Sequence, residues 1–365
     1  MTVIVPDLLW RDGRLQSGWA VELGDHGIAA LRPAESGETV ALRPHILMPA
    51  CTDLQVNGSG GVMLNSDPSP QAIETIVATQ RMRGTGWVMP TLITTTLAQM
   101  RQATDATIAA WGLPGLLGLH LEGPYINPVR KGTHDVSQIR PFDPEAMVLL
   151  ARLRDAGIPV MLTLAPEQVP AETIRTIADL GVVVSGGHTQ ATVEEARAGI
   201  DAGLRCFTHL YNAMPQMQSR APGVIAAAIN SEAYAGIIAD GHHVHWDMVA
   251  LACRARPAPG RMFLVSDAMS TIGGPDHFDL YGERITVREG VLVNAEGSLA
   301  GAHIDMVTSL RNLVVHAGLR AEEAIAMATD VPNRAMRLAP PALEPGRARA
   351  ECLALDTDLR PIALP

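Results

Sequence analysis

From residue 46 onward the chain repeats one pattern. A short apolar run is followed by a polar stretch, and then by apolar residues every third or fourth position. The apolar runs are 46–53 (ILMPACTD), 87–91 (WVMPT), 116–121 (LLGLHL), 159–164 (PVMLTL), 182–186 (VVVSG), 205–209 (RCFTH), 235–240 (AGIIAD) and 262–267 (MFLVSD). Most are continuously apolar, as parallel strands buried on both faces require. Between them the spacing predicts helices at 70–82, 97–110, 144–155, 170–179, 192–201 and 246–254. Pro144 and Pro170 suit a first helical turn, where a missing amide proton costs nothing. Gly157, Gly181 and Gly203 follow three of these helices as stops. Eight strand–helix units predict a (β/α)8 barrel. An open doubly wound sheet is the alternative, but it brings residues of well-separated strands to one rim less readily.

The two ends of the chain read differently. Residues 1–48 carry short strands and turns, with a DG turn in LLWRDGRL and two strands around GDHG. The stretch 280–300 alternates and reads as a hairpin or two near the site mouth. Helices follow at 303–317 and 321–329, and the tail RARAECLALDTDLRPIAL is again strand-like. A β unit too small for its own core needs a partner. The expectation is one small β-sandwich built from residues 1–48 and 338–365, beside a barrel of residues 49–337.

Polar residues capable of chemistry stand where apolar strands stop. Glu122 ends LLGLHLEGP, His188 follows VVVSGG, His209 ends RCFTH and Asp267 ends RMFLVSD. A histidine flanked by apolar residues is commonly a satisfied core residue. Several imidazoles and carboxylates at successive strand ends instead point to a shared rim, and charges sequestered there need a partner such as a metal. Glu122, His188 and His209 make a two-histidine, one-carboxylate set that suits Zn²⁺ with one position open for water. Fe²⁺, Mn²⁺ and Co²⁺ accept the same donors. Asp267 is the candidate base, with Asp240 and Asp53 as strand-end alternatives. His134, in KGTHD, and His243 lie in loops after the third and seventh strands and can face a substrate. Arg220 reads locally as a surface arginine, with an anion as its other use.

Composition narrows the class. The hydrophobic fraction is 47% with only 4% aromatic residues, so Ala, Leu, Ile, Val and 16 Met build the core. A net charge of -10 argues against nucleic acid. It leaves room for a small anion held by one arginine. Four cysteines form no CxxC pair. No run is long enough to span a membrane, and the N-terminus lacks the apolar core of a signal peptide. The expectation is a soluble cytoplasmic protein. The glycines of NGSGG match no nucleotide phosphate loop.

These residues also carry a family resemblance. MPACTDLQVNGSGG, GLHLEGPYINPVRKGTH, SGGHTQAT, THLYNAMPQMQSRAPG, GIIADGHHVH, VSDAM and SLAGAHIDM together resemble the N-acetylglucosamine-6-phosphate deacetylases of the amidohydrolase superfamily, over about residues 48–337. The resemblance implies a (β/α)8 barrel with a small β domain from both chain ends, and metal-dependent removal of the acetyl group from a 2-amino sugar. It implies Glu122, His188 and His209 as ligands of the catalytic metal and Asp267 as base and then acid. It makes His134 the histidine that polarises the amide carbonyl and His243 a substrate contact. Asn212 and Ala213 match phosphate contacts in HLYNAM. Arg220 resembles a phosphate-binding arginine supplied across a homodimer interface. Where many amidohydrolases carry HxH, this chain has Gln55 and Asn57. Neutral amides are poor ligands beside imidazoles, so one metal per subunit is expected. Ala302 and His303 depart from the family's LAGSxLxM, the stretch ATDVPNRAMRLAP departs from its later helix, and His242 occupies a place usually nonpolar.

Overall fold

The computed structural model describes every residue of the chain except 295, 296 and 298. Its centre is an eight-stranded parallel sheet ordered as in the sequence: β1 (Cys51–Val56), β2 (Thr85–Ile93), β3 (Leu119–Glu122), β4 (Val160–Leu164), β5 (Val183–Gly186), β6 (Cys206–Phe207), β7 (Tyr234–Ile237) and β8 (Met262–Leu264). The sheet closes just past β8. There the Asp267 amide donates to Gln55 O at 3.0 Å and the Asn57 amide to Ala268 O at 2.9 Å. The doubly wound alternative is thereby excluded.

Side-chain alternation layers the barrel. In β3 to β5 one set of positions, including Leu119, Leu121, Leu162 and Val184, packs outward against the helices. The opposite set faces inward. Leu54, Met89, Leu117, Met161, Val183, Tyr234 and Phe263 fill the lower interior. Above them lies a polar layer. His120 Nε2 is 2.8 Å from Thr163 Oγ1, which is 2.7 Å from Thr208 Oγ1, which is 2.7 Å from Ser185 Oγ. Burial drives the His120 pKa down to about 4, so the ring sits there neutral.

The helices lie close to expectation: Pro70–Met82, Leu97–Ala110, Pro144–Asp155, Ala171–Asp179, Val193–Asp201 and Trp246–Arg254. Pro144 opens its helix and Pro170 caps the next. Gly157, Gly181 and Gly203 all have positive φ, as glycine stops do. The later helices Met306–Val315 and Ala321–Ala328 lie within their expected stretches.

One strand is corrected. The run 46–53 is two strands in different sheets. Ile46–Pro49 pairs with Leu8–Arg11 and Cys352–Leu355, and the barrel strand begins at Cys51. Both pieces are fully buried, so hydrophobicity alone cannot divide them. The five-stranded sheet holding Ile46–Pro49 joins both chain ends and faces the sheet of Thr2–Ile4, Trp19–Gly24 and Gly27–Pro33. Ile4, Leu9, Val21, Ile28, Leu47 and Ala354 fill the space between them. The DG turn is real. Asp12 and Gly13 have φ of 53° and 74°, the two positive values that a tight hairpin turn requires. The departing stretch after Thr329 ties this sandwich to the barrel. Trp10 Nε1 donates to Asp330 at 3.2 Å, and Asn333 donates to Thr52 at 2.8 Å.

Beside the barrel mouth lies a three-stranded antiparallel flap of His277–Leu280, Glu283–Arg288 and Val291–Val293. It answers the hairpins expected at 280–300, of which positions 295, 296 and 298 lie outside the described residues.

Candidate metal centre

The rim where the strands end carries unusual backbone. His188, His209, Tyr211, Ala213 and Asp267 all have positive φ (49°, 28°, 79°, 52° and 52°) although none is glycine. Such conformations cost of order 1–3 kcal/mol each and persist where the surroundings enforce them. Here they turn the chain sharply after β5, β6 and β8. All but Tyr211 line one cavity together with Glu122, His134 and Asn57.

At its floor Glu122 Oε1 lies 3.2 Å from His188 Nε2 and 3.0 Å from His209 Nε2, and the two nitrogens are 3.1 Å apart. Donors about 2.0–2.2 Å from a tetrahedral cation stand roughly 3.3 Å from one another, so this triangle has the size of one tetrahedral face. The chemistry of the set also fits. His188 Nδ1 donates to Arg130 O at 2.7 Å, which leaves a lone pair on Nε2 facing the carboxylate. Burial pushes the Glu122 carboxyl up, but the His188 and His209 contacts outweigh it and hold the group well below its ordinary range. Burial works against a charged His209 too, yet Glu122 raises its pKa above the ordinary value. Glu122, His134 and His188 also bring ligand atoms within 4.8 Å of one another, which makes His134 a fourth candidate. The 3.0 Å contact between His209 and the carboxylate favours His209 as the third ligand.

Asp267 stands beside this triangle. Its Oδ1 accepts from Asn57 Nδ2 at 2.7 Å and from Gln55 Nε2 at 3.1 Å. Gln55 Nε2 also reaches both Glu122 oxygens, at 3.2 and 3.1 Å. The amides of Gln55 and Asn57 therefore act as donors to carboxylates. Burial, then the Glu122 charge, pushes Asp267 up to about 6. The alternative bases have other employment. Asp53 lies beneath the rim, bonded to Ser266 and the Gln55 amide, and burial pushes it up to about 7. Asp240 forms a turn with the amides of His242 and His243 and accepts from His243 Nδ1 at 2.6 Å.

Of the remaining candidates, His134, Asn212, Ala213 and His243 line the cavity, whereas Arg220 is exposed on the loop that follows and does not. His242 is exposed. His303 is half-buried, with Nδ1 2.8 Å from Thr271 Oγ1, and the Ala302 amide donates to Asp267 O at 2.9 Å, so both departures belong to the seam beside the rim. Two residues escaped the sequence reading. Thr94 holds His134, and Glu167 accepts from Asn127 and from the Gln190 amide, bracing the segment after His188. Glu167 follows β4 closely, so the strand-end signal that picked out Glu122 applied to it as well.

Comparison with known proteins agrees with this fold. The amidohydrolase family model matches residues 46–348. The N-acetylgalactosamine-6-phosphate deacetylase of Shewanella sp. (strain ANA-3) is 36% identical over 88% of this chain and 83% of its own length. The N-acetylglucosamine-6-phosphate deacetylase of Haemophilus influenzae is 32% identical over 82% of this chain and 79% of its own. The crystal structure of N-acetylglucosamine-6-phosphate deacetylase from Pasteurella multocida superposes with a TM-score of 0.90 at 31% identity, covering 99% of this chain and 96% of that one. With the fold shared over 99% of the chain and sequence identity above 30% over more than four-fifths of it, the chain belongs to the N-acetylglucosamine/N-acetylgalactosamine-6-phosphate deacetylase family of the amidohydrolase superfamily.

Proposed function

We propose that this chain deacetylates N-acetylglucosamine 6-phosphate, yielding glucosamine 6-phosphate and acetate, with one divalent metal per subunit held by Glu122, His188 and His209. The observation that carries the reading is the 3.0–3.2 Å triangle of ligand atoms with Asp267 beside it. Zinc suits the two imidazoles and one carboxylate best, and iron, manganese or cobalt would also fit. Gln55 and Asn57 spend their amide hydrogens on carboxylates, which supports a single cation.

A bound divalent cation supplies an activated water near neutral pH and draws charge from the acyl oxygen. Asp267, with Oδ1 fixed by two amides, uses its other oxygen to take a proton from the attacking water. It then passes that proton to the amide nitrogen, because an amine leaves poorly without it. His134 stabilises charge on the acyl oxygen. His243, oriented through Asp240, contacts the sugar. Asn212 and Ala213 receive the phosphate, and Arg220 completes its site from the neighbouring subunit of a cytoplasmic homodimer. Its exposed position outside its own cavity supports that last assignment. Arg220→Ala is expected to raise KM for the phosphorylated sugar by about 10–100-fold, the scale of a lost charged hydrogen bond. The unphosphorylated sugar should be little affected. Equal losses on both sugars in steady-state assays would remove Arg220 from the phosphate site.

A second reading, the galactosamine epimer as substrate, is favoured by one observation: the 36% and 33% identical relatives from Shewanella and Escherichia coli O157:H7 are N-acetylgalactosamine-6-phosphate deacetylases. Both readings are tested by measuring metal content together with acetate release from the two sugar phosphates, before and after chelation and metal return. Faster release from the galactosamine epimer would move the substrate assignment to it. Undiminished activity in metal-free protein would overturn the mechanism.

A further inference from the structure

We propose that Thr94 sets the tautomer of His134, keeping this histidine out of the metal's ligand set and making it a hydrogen-bond donor to the acyl oxygen. The inference rests on the role given to His134 above. Thr94 immediately follows β2, and His134 is buried against it. His134 Nδ1 lies 2.7 Å from Thr94 Oγ1, and the Thr94 backbone N–H points at the same nitrogen from 3.4 Å. A backbone N–H can only donate, so Nδ1 must present its lone pair. The hydroxyl then donates to it as well, since the competing Glu122 carbonyl is 3.4 Å away. A neutral imidazole that accepts at Nδ1 carries its hydrogen on Nε2, where no lone pair remains for a cation.

The neighbouring histidine is set the opposite way. His188 Nδ1 meets the Arg130 carbonyl at 2.7 Å, which accepts, so His188 keeps its lone pair on Nε2. The two rings are only 4.2 Å apart, and both have ligand atoms near Glu122. What faces each Nδ1 therefore sorts one histidine into a ligand and the other into a donor. Thr94 is a positioning residue, and it is held from two further sides. Tyr281, at the turn of the flap, donates its hydroxyl to Thr94 O at 2.8 Å. Gly123 leaves the space that the Thr94 side chain needs, because a Cβ there would stand 2.3 Å from Oγ1.

The test uses metal-loaded full-length protein labelled with ¹⁵N-histidine, with the His134 signal identified by its loss in His134→Gln. Wild-type His134 is expected to be protonated on Nε2. Thr94→Val leaves only the long backbone contact. It is expected to give a mixed tautomer, with kcat lowered about tenfold and KM changed less than about twofold. Thr94→Ser should restore both the tautomer and kcat. Protonation of wild-type His134 on Nδ1 would overturn the proposal, and so would a Val variant with unchanged tautomer and kcat. The wild-type spectrum decides even if the Val variant fails to fold. It is also independent of the substrate reading, which fails separately if neither sugar phosphate is turned over.

Discussion

Asp267→Asn is expected to lower kcat by about 10²–10⁴-fold, the range for losing a positioned acid–base group. Metal content should stay at the wild-type level. The substitution is nearly isosteric, and an asparagine oxygen can still accept from Asn57 Nδ2 and Gln55 Nε2, the two donors that fix Oδ1. What disappears is the ability to accept a proton from water and hand it to the leaving nitrogen. Both steps need it, so kcat falls and tighter substrate binding offers no compensation. Steady-state kinetics and elemental analysis of the same sample separate the outcomes. Wild-type turnover would remove Asp267 from the chemistry. Loss of metal along with turnover would recast it as a ligand.

Glu122→Gln is expected to empty the metal centre. Glu122 carries the one negative charge of the proposed ligand set and touches both histidines, at 3.2 and 3.0 Å. Removing a partner one shell further out costs about 10–100-fold in metal affinity, and losing the anionic ligand itself should exceed that. Metal after dialysis should fall far below one per chain, and excess metal should restore only part of the activity. Full metal occupancy with wild-type activity would take Glu122 out of the ligand set. A second variant separates the two candidate third ligands. If His134 held the metal in place of His209, His209→Asn would leave metal content unchanged.

Much of this site is written locally. Glu122, His188, His209 and Asp267 were recognisable because each ends or closely follows an apolar strand, a position that a barrel brings to one rim. The helices 70–82, 97–110 and 144–155 were legible to the residue because a proline or a threonine cap marks the start and a regular apolar period fills the interior. Where both faces of an element are buried the signal fails. The run 46–53 hid a change of sheet, and the short helix Gly223–Ile229 (GVIAAAI) has no polar face to reveal its period. The flap began earlier than its alternation suggested, since His277–Leu280 forms its first strand.

The sequence by itself determined most of the elements, their order and the histidines and carboxylates of the central triangle with Asp267, because alternation and helical period are local properties of the chain. Pairing was decided only by the tertiary structure. Asn57 and Asp267 are 210 residues apart, and nothing local says that one amide would fix the other's carboxylate. His134 stood out in the sequence, but Thr94 is an unremarkable strand-end residue until the fold sets its hydroxyl 2.7 Å from the His134 imidazole nitrogen. Hydrogen bonds act over about 3 Å, and only closure of the barrel brings residues so distant in the chain within that range.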